Sequence, residues 1–373
     1  MAFSLPVWLA VQEELLGPDE DNPGAPSCFD DIDDETLFQM FHLTRPCISF
    51  ITDSVRIRMR KVAVKKPALS VDEMVMVALN YYAHGVASAA ILQRVDLSQT
   101  DYTAVIGTVS GVIAGMSDQF ISFPLMQDAK SNVAFKIEKL CGIPNVLGVL
   151  APAHFKIRAS PYEKDSFRSF VNTLGHTSVV SQFICDSDGN ILSVEKCCVG
   201  STFEQEMWES SFKGREMEEE LHGPYWVIGG KSYNLSTHVL TPVSQPANDK
   251  ETHFNEAHAK IHNVMRTTLG SMKRRFKCLM QLGFAQEGSL DKKSNIIKSC
   301  SVLHNIAKKF STPPPPVAGK IEPLHPGRQR SVPVEINSEA VKARQEIIDS
   351  KFNKSVVSSS KNPPSKGVTE EDV

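Results

Sequence analysis

His258 and His262 stand four residues apart in a stretch of helical periodicity, which puts both imidazoles on one helix face, a spacing that zinc sites use. The segment reads His258-Ala259-Lys260-Ile261-His262, with no glutamate between to act as a hydrolase base. His154 and His304 complete the histidine candidates, and surface exposure or hydrogen bonding is the simpler reading for all four. Carboxylates able to hold a hard cation are Asp186, Asp188, Glu195, Glu204 and Glu206. Asp186 and Asp188 lie in Asp186-Ser187-Asp188-Gly189-Asn190, where Asp caps its own turn backbone. Glu204 and Glu206 leave a helix on different faces, and Glu195 alternates within a strand. A third group is cationic: Lys273, Arg274, Arg275 and Lys277 surround Phe276 at the end of a long helix. There they either complement the helix dipole or meet phosphates. No phosphate-cradling glycine loop is present, and Gly229-Gly230 is too short to be one.

The periodicity that positions these groups changes along the chain. Residues 1–35 are acidic and read as a flexible N-terminus. Residues 36–125 read as helical: Leu37, Phe38, Met40 and Phe41 recur at helical spacing, and Ser70 with Asp72 and Glu73 begins another helix. A basic run, Arg56, Arg58, Arg60, Lys61, Lys65 and Lys66, is either a solvated helix end or a DNA contact. Stretches 86–95 and 98–114 form a helix-turn-helix candidate, the second opened by Ser98 with Asp101. Its turn, from Gln99 to Ala104, carries one amide and no cation, so a purely packing trihelical unit is the rival reading. From about 132 to 310 the grammar is α/β. Val146 to Leu150 reads as a buried strand, 178–185 and 191–198 as a hairpin, 225–228 as a short strand, and 203–220, 251–281 and 293–310 as helices. Residues 311–373 open with Pro313 to Pro316 and read as a disordered tail with a helical patch at 338–352.

Composition narrows the setting. With 40 Lys and Arg against 43 Asp and Glu, the formal charge is −3. Any nucleic-acid role must rest on a local patch or a partner, because phosphate neutralisation supplies most non-specific affinity. Eight cysteines without repeated spacing suggest free thiols. No leader pattern or membrane-length apolar run is evident, so a soluble intracellular protein is expected, nuclear and/or cytoplasmic.

Several ordered segments resemble one family. Gly142-Ile143-Pro144 followed by Val146 to Leu150 looks like its first catalytic strand, and Phe170-Val171-Asn172 with Gly175 like its "nrKG" turn. Gly200-Ser201 looks like its "GS" turn, and Val302-Leu303-His304-Asn305 like its "vLHN". Cys185-Asp186, Phe120 to Pro124, Thr241-Pro242, Phe254-Asn255 and His258 add to the set. By these the chain resembles the Harbinger transposase-derived nucleases, members of the DDE superfamily, over about residues 36–310. The resemblance implies an RNase H-like mixed sheet flanked by helices, preceded by the helical segment. It implies phosphodiester hydrolysis with Mg or Mn held by clustered acids, and a separate Myb/SANT-like nuclear partner that supplies DNA binding. Carried over residue by residue, the family's acid positions read Ala151, Glu204, Gly230 and Arg266, of which only Glu204 is acidic. The expectation is a catalytically inactive binding or adaptor protein with no metal. An active divalent-metal nuclease and a DNA-binding protein that does not cut are the alternatives. Glu204 and Arg266 are expected to pair across the emptied pocket.

Overall fold

The structure, a computed structural model, describes residues 27–61, 69–98, 101–158, 165–219, 223–283, 290–315 and 337–353. Seven helices come first: α1 (Asp34–Phe41), α2 (Arg45–Lys61), α3 (Val71–His84), α4 (Ala89–Arg94), α5 (Tyr102–Ala114), α6 (Ser117–Phe120) and α7 (Gln127–Cys141). Local chemistry sets their ends. Asp33 accepts from the Thr36 amide ahead of α1, and Ser70 and Glu73 form a reciprocal capping box ahead of α3. Ser98 Oγ accepts from the Asp101 amide, but α5 starts only at Tyr102, and Asp101 as its N-cap makes no side-chain cap bond.

The sheet follows, with β1 (Val146–Lys156), β2 (Ser178–Cys185), β3 (Ile191–Val194), β4 (Cys198–Val199), β5 (Trp226–Gly229) and β6 (Val239–Leu240). Its order is β3-β2-β1-β5-β6, with β4 pairing the far end of β2. The β1–β2 and β2–β3 pairs are antiparallel, while β1–β5 and β5–β6 are parallel. Three antiparallel strands continued by parallel ones, with helices alongside, are consistent with an RNase H-like fold. Helices α8 (Glu204–Ser210) and α9 (Phe212–Glu218) divide at Ser211 the stretch that reads as one helix. The long α10 (Asp249–Arg275), α11 (Leu290–Lys309) and α12 (Ser338–Lys351) complete the described elements.

Alternation along β1, shifted by an irregularity between Val146 and Gly148, separates two cores. Val149, Ala151, Ala153 and Phe155 join Ile261, Met265 and Leu269 of α10 in the larger cluster. Leu147 and Leu150 join Ile184, Trp208, Val227 and Tyr233 in the smaller one. Each fully buried aliphatic chain contributes roughly 1.5–3 kcal/mol from area removed from water. Gly200, the glycine of the "GS" turn, has a packing reason: a Cβ there would stand 2.4 Å from both the Phe170 carbonyl oxygen and Ser178 Oγ.

Tertiary contacts bear on four expectations. Acidic residues of the N-terminal stretch are tied down from residue 27: Phe29 and Ile32 are buried, Asp31 pairs with Arg94, and Asp34 pairs with Arg45 at 2.6 Å. The helical segment and the α/β segment share one core, since the larger cluster runs from Phe29 to Ile348. Tyr82 meets Ser110 at 2.6 Å, Ser299 Oγ donates to the Ser110 carbonyl, and the Phe50 and Phe310 rings lie 5.1 Å apart. The first helix of the helix-turn-helix candidate has only six residues, and the second buries Val105, Ile106, Val109 and Ile113. Finally, the tail contains a docked helix. Within α12, Ala340 and Ile348 are buried, Arg344 donates to the Thr241 carbonyl at 3.2 Å, and Phe352 meets Phe254 edge to face. In the basic run, Arg56 pairs with Asp53 at 2.6 Å and with Asp72, and Arg58 donates to the Gly115 carbonyl; Lys65 and Lys66 lie outside the described residues.

Candidate active site

Ala151 lies mid-way along β1 and is 1 % exposed. Gly230 directly follows β5, whose Gly229 is in register with Leu150, so Ala151 and Gly230 come side by side at neighbouring strand positions. Both present toward α10. Ala151 packs in the same cluster as Ile261 and Met265, and a Cβ on Gly230 would stand 3.3 Å from His262 Nε2. Arg266 is one turn beyond His262 on the same helix. Two strands and one helix thus bring Ala151, Gly230 and Arg266 to one region of the fold.

Glu204 comes beside the turn that follows Gly230: the Tyr233 amide donates to the Gly230 carbonyl, and the Asn234 amide to Gln205 Oε1. It opens α8, is 1 % exposed, and acts electrostatically on Tyr233, whose hydroxyl pKa is raised by burial and then by this carboxylate. Tyr233 and the α8 residue Trp208 belong to the smaller cluster, on the other face of the sheet from Ala151. The expected Glu204–Arg266 pair does not form. Arg266 Nε instead donates to Asn263 Oδ1 at 2.7 Å, a contact within its own helix.

The histidines are mostly structural. His258 Nε2 donates to the Gly229 carbonyl at 3.0 Å, clamping the end of β5 to α10, and burial pushes its pKa down to about 3. His304 Nε2 donates to the Gly189 carbonyl at 3.0 Å, and burial lowers its pKa to about 4. Asn305 beside it accepts from the Ile191 amide and donates to the Ile191 and Phe120 carbonyls. The Leu303-His304-Asn305 motif therefore pins the β2–β3 hairpin to α11. His154 Nδ1 meets Ser178 Oγ at 3.0 Å. His262 stacks on His258 with ring centroids 5.9 Å apart, and its buried Nε2 has no hydrogen-bond partner. Among the described residues, no group of three or more His, Cys, Asp or Glu side chains is placed to hold a metal ion. Asp186 is occupied in the hairpin turn by the Asp188 and Asn190 amides, and Asp188 pairs with Lys136 at 2.8 Å.

The cationic run does not form one surface. Arg275 is 6 % exposed, and its guanidinium donates to the carbonyls of His42, Thr312 and Pro313. Lys273 Nζ donates to the His154 carbonyl at 3.1 Å and lies 5.3 Å from the Phe155 ring centroid. Arg274 and Lys277 remain partly exposed. Lys273, Arg274 and Arg275 are consecutive in the last turn of α10 and so point in different directions, and Lys277 follows in a 3-10 turn at Lys277–Met280.

Residues 153–305 match the DDE superfamily endonuclease family. Over that segment the chain is similar to DDE superfamily endonucleases. It is 28 % identical over 326 residues to "Putative nuclease HARBI1" of Rattus norvegicus, covering 87 % of this chain and 92 % of that one. Identity is 27 % over 324 residues to the Xenopus laevis protein of the same name, and 28 % over 326 residues to the Homo sapiens one, with the same coverage of each. No solved structure matches the chain. The match agrees with the sheet order and with the Val302 to Asn305 motif that closes the matched segment.

Replacing Gly230 with Asp would put a carboxylate beside the unpartnered His262 nitrogen. An opposite charge within about 4–6 Å raises an imidazole pKa by about 1–3 units. The Gly230→Asp variant is therefore expected to raise the His262 titration midpoint, read by NMR, from its burial-lowered position. Gly230→Ala should leave it low; equal midpoints in the two variants would show that position 230 does not face His262.

Proposed function

We propose that this protein retains a nuclease scaffold without hydrolysing phosphodiesters, and acts in the nucleus as a binding or adaptor protein. One observation carries the reading: where β1, β5 and α10 meet, the residues are Ala151, Gly230 and Arg266. Taken as counterparts of the family's acids, these supply no carboxylate and one cation. The remaining counterpart, Glu204, lies with Trp208 and Tyr233. Divalent cations in such sites are held by clustered carboxylate oxygens. At an effective dielectric of about 20, a unit-charge pair at about 4 Å is worth roughly 4 kcal/mol, so exchanging one acid for Arg266 alone weakens cation binding severely. The donor set does not fit a Mg or Mn pair, and no catalytic step is routed through one.

The test is a nicking assay on supercoiled plasmid with Mg²⁺ or Mn²⁺. Purified protein is expected to cut no faster than buffer. Metal-dependent nicking abolished by Glu204→Gln would establish the active nuclease instead. Sequence-specific DNA recognition is assigned to a Myb/SANT-like nuclear partner, because α5 carries no charged side chain to read bases. Co-purification that recovers no such partner would count against the adaptor role.

A further inference from the structure

A cleft of about 770 Å³ opens between the helical segment and the α/β segment, and neither Ala151 nor Gly230 is among its described lining residues. One wall is α5, presenting Tyr102, Thr103, Ala104 and Gly107. The opposite side carries Arg158 just past β1, Lys277 after α10, and Lys292 and Lys293 at the start of α11. Tyr81 and His84 from the end of α3 close it. No Asp or Glu is among its described lining residues, in a chain where acids outnumber bases overall. Asp291, the acid in the first turn of α11, turns instead toward Lys196 at 3.5 Å. Lys292 and Lys293 occupy that same first turn, where the helix dipole disfavours cations. Lys293 is 3 % exposed, which makes it part of the built wall and not a loose surface lysine.

We propose that this cleft binds a short single strand of nucleic acid, with Arg158, Lys277 and Lys292 neutralising phosphates and Tyr102 and Tyr81 offering ring surface to bases. Cations that follow a backbone, interleaved with aromatic rings, are the pattern by which unpaired strands are held. A duplex is read by elements that protrude into a groove, whereas these residues line a concavity. The small uncharged side chains of α5 then have a role: they leave room along one wall and add no competing charge. The site is independent of whether the family's catalytic region cuts.

Fluorescence anisotropy with labelled strands of about 12 nucleotides, DNA and RNA in parallel, tests this in low salt and EDTA, where metal-dependent cleavage cannot contribute. A duplex of the same sequence is the comparison. The full chain is expected to bind at least one single strand more tightly than duplex. Lys277→Glu with Lys292→Glu should weaken binding by about tenfold or more, and flatten its salt dependence. Tyr102→Ala should weaken it by about fivefold. Lys260→Glu, an exposed reversal elsewhere on α10, should leave it unchanged. Lys277→Gln with Lys292→Gln, checked by circular dichroism, gives the same reading should the double reversal unfold. No measurable binding, equal affinity for duplex, or binding indifferent to the Lys277 and Lys292 variants would each overturn the proposal.

Discussion

Between about pH 7.5 and about pH 5 the protein is expected to lose about 4 kcal/mol of unfolding free energy, about 2 kcal/mol through each of His258 and His304. Burial holds these imidazoles down to about 3 and about 4 in the folded chain, against about 6.5 in the unfolded one. Above about pH 6.5 both states are neutral and the histidines contribute no pH dependence. Below it the unfolded chain takes up protons that the folded chain refuses. Stability then falls by about 1.4 kcal/mol per pH unit per histidine until the folded pKa is reached. His42, lowered by burial as well, adds in the same direction. Urea unfolding at the two pH values measures the loss. His304→Gln, whose amide can still donate toward the Gly189 carbonyl, should flatten the pH dependence. A urea midpoint that does not move with pH would show that these imidazoles are not held neutral.

Arg275→Met is expected to destabilise the fold by about 3–5 kcal/mol, because three carbonyls lose a charged donor and are left in a buried site. The His42 ring is also fixed there, its Nδ1 donating to the Arg275 carbonyl at 2.8 Å. Arg274→Met, one residue away and partly exposed, should stay within about 0.5 kcal/mol of the parent. Arg275→Lys should recover only part of the loss, since one ammonium cannot reproduce the guanidinium fork. Thermal and chemical unfolding of the three variants provides the comparison. Equal effects at 274 and 275 would mean that the Arg275 contacts do not hold the α1–α10 junction together.

The helical N-terminal half, the central strands, the hairpin and the long α10 were legible because each rests on a local rule. Ser70 and Glu73 cap α3, Gly189 sits in the turn between β2 and β3 with φ 79°, and Val146 to Leu150 is a buried apolar run. The two-residue strands β4 and β6 were not separable, since Cys198–Val199 and Val239–Leu240 pair only through neighbours far along the chain. The break at Ser211 was missed for a similar reason: its hydroxyl caps α9 by accepting from the Gly214 amide, inside a stretch of unbroken helical composition.

For the proposed loss of catalysis the premise is residue identity alone, since an alanine or a glycine supplies no ligand wherever it sits. Ordered motifs carried the resemblance, because their spacing survives without coordinates. Only the tertiary structure set Glu204 near Tyr233 and turned Arg266 toward Asn263. It alone turned Arg275 inward and left Lys277 facing the cleft beside Arg158 and Lys292. Side-chain direction at a helix end and proximity between distant segments depend on packing, and no one-dimensional period encodes that.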